Sequence, residues 1–314
     1  MDRRGTPAVG GRRAAAAVVA LVATLALGSC ASNGPASHAG AVGDCPGGRV
    51  PIVVTVDQWG DLVSRLAGAC GDVTTIVSGT TGDPHDYEPT PADLAAFSGA
   101  ELVVVNGLGY DAWADKAVGA LGHRPAVVDA GEVAGRQDGD NPHLWYDQAT
   151  VRAVADAVSE ELTALRPRAV DQLRADRSAL ESDLAPYDAE IAAIRAADGH
   201  ARYAATESVF DLMASALGLV DVTPAGYQKA AANGSEAGPA DLAAFEKVLS
   251  SRQADVLIYS RQTEGAVPRQ LRAAAERAGV PVVEVTETVA PGSTGFVDWQ
   301  VDQLRRLATA LGVT

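Results

Sequence analysis

The sequence predicts an α/β protein of two similar lobes, each a parallel sheet covered by helices, joined by a long connecting helix. Three observations carry this. The heptapeptide PADLAAF stands at residues 91–97 and again, letter for letter, at 239–245. Each copy is followed by a polar joint and an apolar run, ELVVVNG in the first half and ADVLIYS in the second, and later by another, PAVVDAGEV and PVVEVTETV. Between the halves lie charged stretches with apolar residues at helical spacing. Runs of β-branched residues alternating with Ala/Leu-rich helical periods are the pattern of parallel strands with helices on their faces.

Taken in order, the chain opens with an address. Arg3, Arg4, Arg12 and Arg13 precede the apolar stretch AAAAVVALVATLAL, which ends at LGSC. That stretch is too short to span a membrane comfortably. LGSC resembles a bacterial lipobox, in which cleavage before the cysteine leaves it N-terminal and lipid-modified; here that residue is Cys30. An ordinary signal peptide with a cysteine near its cleavage point would also export the chain. Residues 1–29 are therefore expected to be a lipoprotein signal peptide, with the mature protein held by its lipid on the outer face of the cytoplasmic membrane. Residues 30–48, small, polar and punctuated by Gly and Pro, read as a flexible tether.

The 314 residues are enough for about two domains, and 47 % hydrophobic content supplies each with a core. Removing residues 1–29 takes away four arginines and one aspartate, so the formal charge goes from −15 to −18. Such an acidic chain is not expected to bind nucleic acid. An acidic surface also keeps a secreted protein soluble, so charge alone does not argue for cation binding.

Cys45 and Cys70 form an even pair in an oxidising compartment, and one disulfide is the simplest account. It would close a loop of about 25 residues, worth about 3 kcal/mol in the chain-entropy model. A thiolate metal site is the rival, and no CxxC pair lies near either cysteine.

The first lobe is expected over residues 49–167 and the second over 199–314. The repeat extends upstream of the heptapeptide: TVDQWGDLVSRLAG from Thr55 lies against ATESVFDLMASALG from Ala205, with Asp61/Asp211, Leu62/Leu212 and Gly68/Gly218 in register. The connecting helix, 168–198, follows a break near Pro167. It would run about 45 Å at 1.5 Å per residue, with a kink or a local break at Pro186.

In α/β lobes, ligands collect beyond the carboxyl ends of the strands. Four residues in such loops or at helix starts are candidates. His85 lies in TGDPHDYEPT and His143 in DNPHLWYDQAT, each straight after a proline that limits the backbone and so presents the imidazole with less entropy to lose on binding. A lone loop histidine is more often exposed or a cap; a matched Asp/Asn-Pro-His pair points to ligands. Glu207 falls in what reads as the first turn of a helix capped by Thr206, where a carboxylate is favoured by the helix dipole. From spacing alone it is structural. Glu287, at a strand end in VTETVAPG, also reads as an ordinary loop acid. His123 and His200 lack comparable surroundings, and His38 lies in the tether.

An exported chain with DPHDYEPTPADLAAFSGAELVVVNGLGYD, then NPHLWYD, then a long helix and a second α/β lobe resembles the metal-binding component of a bacterial ABC importer, the cluster A-I zinc and manganese substrate-binding proteins. The likeness runs from about residue 50 to the end. It implies a protein that captures one divalent transition metal ion, Mn²⁺ or Zn²⁺, between its lobes and hands it, as a monomer, to a membrane permease. It also implies metal ligands at His85, His143, Glu207 and Glu287. The third family position is commonly histidine in zinc members and glutamate in many manganese members. The fourth is usually aspartate, so glutamate at 287 reaches further and leaves its denticity open. The His-rich loop of many zinc members is absent: residues 111–140 contain only His123. Glu207 and that missing loop place Mn²⁺ ahead of Zn²⁺, although Zn²⁺ binds most mixed N/O sites more tightly.

Two other classes compete. An exported metallohydrolase would need an open metal position and a nearby acid or base, and the sequence has no Gly-x-Ser-x-Gly and no HExxH. An adhesin-type lipoprotein would keep the two lobes and leave the histidines idle. The expectation is a binding protein, not an enzyme.

Overall fold

The computed structural model describes residues 36–38, 43–79, 84–198, 200–263 and 265–313. The expected signal peptide and Cys30 lie outside the described residues. In chain order the elements are β1 (Ala36–His38), β2 (Val50–Val56), α1 (Asp57–Ala67), β3 (Gly71–Val77), α2 (Pro91–Ala96), β4 (Leu102–Val105), α3 (Trp113–Gly119), β5 (Ala126–Asp129), α4 (Ala130–Val133), α5 (Gln148–Leu165), α6 (Val170–Asp183) and α7 (Ala185–Asp198). The second half adds β6 (Arg202–Ala205), α8 (Asp211–Leu217), β7 (Val220–Asp221), α9 (Ala225–Ala232), α10 (Pro239–Ser250), β8 (Val256–Ser260), α11 (Ala266–Ala278), β9 (Val282–Val285) and α12 (Phe296–Leu311). No helix among the described residues is long and apolar enough to cross a membrane.

The internal repeat is visible in the sheets. The first has strand order β1-β3-β2-β4-β5 and the second β7-β6-β8-β9, so β3-β2-β4-β5 and β7-β6-β8-β9 are the same topology built twice. All pairings within those two sets are parallel. Strands covered on both faces have no polar side to show, and the central β4 and β8 are buried at every residue. The two PADLAAF copies open α2 and α10, each with Pro at the first helical position and a fully buried phenylalanine, Phe97 or Phe245. Their caps differ. Thr90 and Asp93 form a reciprocal capping box on α2, whereas Gly238 precedes α10 without a side-chain cap.

Two expectations are modified. The backbone of Ala36–His38, inside the expected tether, pairs antiparallel with Thr75–Val73 on the edge of the first sheet. The connecting rod takes the second of the two forms expected at Pro186, a local break: two helices of 14 residues each with the turn at Leu184. Pro186 has no N–H to offer the preceding turn, and the helix breaks just ahead of it. The rod does not stand free: α6 packs on α1 and α5, and α7 on α8 and α12.

One apolar core runs through both lobes. It joins Val53, Val54 and Val104 of the first sheet, Val154 and Val158 of α5, Leu180 of α6, Ile194 of α7, Val256 and Val285 of the second sheet and Trp299 of α12. Tyr146 is the bolt across the seam: fully buried, it lies 5.3 Å from Phe210 and 5.8 Å from Trp299, ring to ring, and its hydroxyl donates to Thr286 O at 2.7 Å. A second, smaller core under α9, α10 and α11 belongs to the second lobe alone. Cys45 and Cys70 are disulfide-bonded, tying the approach to β2 to the 3-10 turn Gly68–Cys70 that follows α1.

Candidate metal centre

His85 is presented by a short 3-10 turn, Pro84–Asp86, closed by the Tyr87 amide donating to Pro84 O at 3.3 Å. Tyr87 then anchors the turn to α2, its hydroxyl donating to Asp93 Oδ2 at 2.7 Å. The same carboxylate accepts from the Thr90 amide at 2.7 Å. The sequence PHDYEPTPAD is thus one device: two prolines restrict the backbone, a capping box starts the helix, and a tyrosine ties the histidine turn to that box.

His143 precedes a 3-10 turn, Leu144–Tyr146, whose side chains are all buried. Asn141 orients the imidazole. Its Oδ1 accepts from the His143 amide at 3.0 Å and faces His143 Nδ1 at 2.7 Å, while its Nδ2 donates to Ser208 O of the second lobe at 2.8 Å. An oxygen facing Nδ1 requires the proton there, so the lone pair is on Nε2. The Pro142 carbonyl is held in turn by Asn106 Nδ2 at 2.9 Å, and Asn106 Oδ1 accepts from Trp59 Nε1 at 3.1 Å.

Glu287 leaves the end of β9. The Thr286 amide donates to Gln303 Oε1 at 3.0 Å, the Glu287 amide to Gln262 Oε1 at 2.5 Å, and Gln262 Nε2 to Thr288 Oγ1 at 2.7 Å. The carboxylate is completely buried.

These three side chains converge. His85, His143 and Glu287 each offer a ligand atom, all within 4.8 Å of one another. Glu287 Oε2 is 3.4 Å from His85 Nε2 and 3.5 Å from His143 Nε2, and the two Nε2 atoms are 3.3 Å apart. Tyr110 OH donates to the same Oε2 at 3.2 Å and packs edge-on against His85 at 4.6 Å between rings, while Trp145 meets His143 edge-on at 5.4 Å. Glu287 Oε1 is buried and has no hydrogen-bond partner among the described residues.

Such a cluster requires positive charge. A lone pair on His143 Nε2 aimed at a carboxylate oxygen is repulsive unless a cation or a proton sits between them, and a buried oxygen without a partner is costly. Burial pushes the Glu287 carboxyl up, and the pull of His143 and then His85 outweighs it, bringing the pKa down to about 2. The carboxylate is therefore ionised throughout the neutral range. Two imidazole nitrogens and a carboxylate, with no sulfur, suit a borderline or hard divalent ion.

Glu207 is not in this group. It caps the 3-10 turn Ser208–Phe210, its Oε1 accepting from the Ser208 amide at 2.9 Å. The expected cap, Thr206, bonds elsewhere, being buried with its hydroxyl accepting from the Ser260 amide at 3.1 Å. Glu207 does line a cleft of about 470 Å³ with Asp86, the neighbour of His85, and Gln262, which holds the Glu287 amide. His123, set aside in the sequence, contacts Ala100 O at 2.9 Å, away from the cluster. The sequence reading missed Tyr110 and Gln262. Both follow strands, β4 and β8, so the strand-end rule was the signal that could have found them.

Residues 52–310 match the model of the zinc-uptake complex component A, periplasmic, ZnuA. The chain belongs to the ZnuA family. This ZnuA-family chain is 29 % identical to the manganese-binding lipoprotein MntA of Halalkalibacterium halodurans, over 53 % of its own length and 54 % of that protein. It is 26 % identical to the manganese ABC transporter substrate-binding lipoprotein PsaA of Streptococcus pneumoniae, over 56 % and 59 %. It thus spans somewhat over half the length of the curated relatives it matches. Its fold is that of the periplasmic zinc-binding protein TroA from Treponema pallidum, with TM-score 0.71 at 20 % identity, covering 84 % of this chain and 99 % of that one. The Cd-bound periplasmic metal-binding protein from Candidatus Liberibacter asiaticus shares it too, with TM-score 0.68 at 16 % identity over 84 % and 99 %.

Proposed function

We propose that the protein is an exported, lipid-anchored substrate-binding protein that captures one divalent transition metal ion and delivers it to an ABC permease. The observation that carries the reading is the convergence of His85, His143 and Glu287, from three separate loops of both lobes, around one buried, charge-demanding point. The ZnuA-family membership supports it, as do relatives named for manganese binding and ABC transport. Cys30 is the proposed lipid attachment. In this reading the protein is a carrier rather than an enzyme: Glu287 Oε2 already faces two imidazoles and the Tyr110 hydroxyl, so protein groups occupy the positions around the ion.

Glu207 is the fourth ligand in this reading. Its carboxylate caps a turn and lines a cleft together with Asp86 and Gln262, the neighbours of His85 and Glu287, and to bind the ion it would have to give up the Ser208 amide. Two imidazoles and two carboxylates would favour Mn²⁺ modestly over Zn²⁺ as the cargo, and the names of the relatives include manganese, iron and zinc.

Elemental analysis of the mature domain with Mn²⁺/Zn²⁺/Fe²⁺ competition tests the proposal. One tightly held ion per chain without turnover is expected, and affinity should fall on acidification because protons compete with the ion for the ligand atoms. Ester or amide hydrolysis would instead mark a hydrolase, and no metal at all an adhesin-type protein. A separate titration addresses Glu207. Glu207→Ala should weaken Mn²⁺ binding by about tenfold or more, and Glu207→His should raise the preference for Zn²⁺ over Mn²⁺. Unchanged affinity and selectivity in both variants would leave Glu207 as a turn cap only.

A further inference from the structure

Asp57 is the first residue of α1, where an acidic side chain ordinarily favours the helix dipole. Its oxygens are used otherwise. Oδ2 accepts from the Gly79 amide at 3.0 Å and Oδ1 from the Val289 amide at 3.1 Å. Gly79 follows β3 of the first lobe; Val289 follows β9 of the second, two residues after Glu287. A third bond closes the clasp, Thr288 Oγ1 donating to Gly79 O at 2.9 Å.

The segment from Thr286 to Val289 is held from both sides of the seam. Gln303, Gln262 and Trp299 grip it from within the second lobe, at Thr286 N, Glu287 N and Thr286 Oγ1. From the first lobe come Tyr146, which donates to Thr286 O, and Asp57, which accepts from Val289 N. Tyr146 therefore fixes the segment just before Glu287 and Asp57 just after it. Glu287 Oε2 has to stay within 3.4–3.5 Å of two histidines that both belong to the first lobe. Asp57 thus adds a first-lobe contact on the far side of Glu287 from Tyr146.

We propose that Asp57 is a positioning residue for the metal centre, clasping the Gly79 and Val289 amides so that Glu287 is kept in register with His85 and His143 across the seam. This rests on the reading of those three residues as ligands. Asp57 itself touches no ligand atom and acts through the backbone. Burial pushes its carboxyl up to about 7 against the pull of the two amides. An Asp57→Asn change at neutral pH therefore removes an acceptor while altering less than a full charge.

The test compares Mn²⁺ affinity, by competition with a fluorescent chelator at neutral pH, in the wild type, Asp57→Asn, Asp57→Ala, Glu287→Ala and the Asp57→Asn/Glu287→Ala double variant. The asparagine sets an NH₂ donor against one backbone N–H, and alanine removes both acceptors. Each Asp57 variant is expected to bind Mn²⁺ about tenfold or more weakly, the range for losing a group that orients a ligand, and its Co²⁺-loaded form to show an altered visible absorption spectrum. In the Glu287→Ala background, Asp57→Asn should cost no more than about twofold, because a residue that acts through Glu287 has nothing left to position. A merely structural residue would give the same loss in both backgrounds, and that result overturns the proposal, as does wild-type Mn²⁺ affinity in both single variants. Should the wild type itself bind no divalent ion, the metal-centre reading fails and the clasp loses its purpose with it. Should the wild type bind and the Asp57 variants match it, only the clasp fails.

Discussion

Replacing His143 by alanine is expected to lower divalent-metal affinity by more than about a hundredfold while leaving the fold intact. The magnitude follows from its place: loss of a group that merely orients a ligand costs about 10–100-fold, and His143 is proposed as the ligand itself, its Nε2 lone pair fixed toward the cluster by Asn141. The backbone should survive because the turn is anchored by its neighbours. Leu144, Trp145 and Tyr146 are completely buried, and Asn106 holds the Pro142 carbonyl. Calorimetric titration with Mn²⁺ and Zn²⁺, with circular dichroism on the same samples, checks it. Stoichiometric high-affinity binding by the variant would remove His143 from the site.

The second large effect belongs to Tyr146, which touches no proposed ligand atom. Tyr146→Ala should destabilise the protein by about 4 kcal/mol, the range for emptying a large aromatic site, and should weaken metal binding as well. The ring fills the seam between Phe210 and Trp299, and the hydroxyl fixes the carbonyl of Thr286, the residue before Glu287. Tyr146→Phe separates the two contributions. It keeps the packing and orphans a buried carbonyl, for about 1–3 kcal/mol, and should retain most of the thermal stability while still loosening the ion. Denaturant unfolding followed at both variants, with metal affinity measured in parallel, distinguishes them. Tyr146→Ala unfolding like the wild type would mean that the seam is held elsewhere.

Chain pattern made much of this readable. The repeated heptapeptide and the β-branched runs specify two copies of one topology, and the four parallel strands of each sheet have it, with β1 added at one edge of the first. The paired Pro-His motifs pointed to a loop site, and His85 and His143 do meet, joined by Glu287. Glu207 shows the limit of such reading. The first turn of a helix and a metal cleft ask for the same carboxylate, and spacing does not separate the two uses; in the structure its oxygen accepts from Ser208 N. Thr206 carried a capping signal yet turns its hydroxyl into the core, because Ser260 on the neighbouring strand offers an amide that only the fold brings within reach. Asp57 has the position of an ordinary helix-start acid, yet its oxygens accept from Gly79 N and Val289 N.

Local pattern, then, determined by itself what is local: strand and helix periods, proline-limited turns, the doubled lobe and the kind of side chain offered at each loop. Only the tertiary structure decided which of those offers converge. Tyr110 and Glu287 are 177 residues apart in the chain and 3.2 Å apart in space, and Asp57 meets Val289 across 232 residues. Such contacts come from how two sheets pack around one continuous core, a property of the whole chain's burial that no short window of sequence contains.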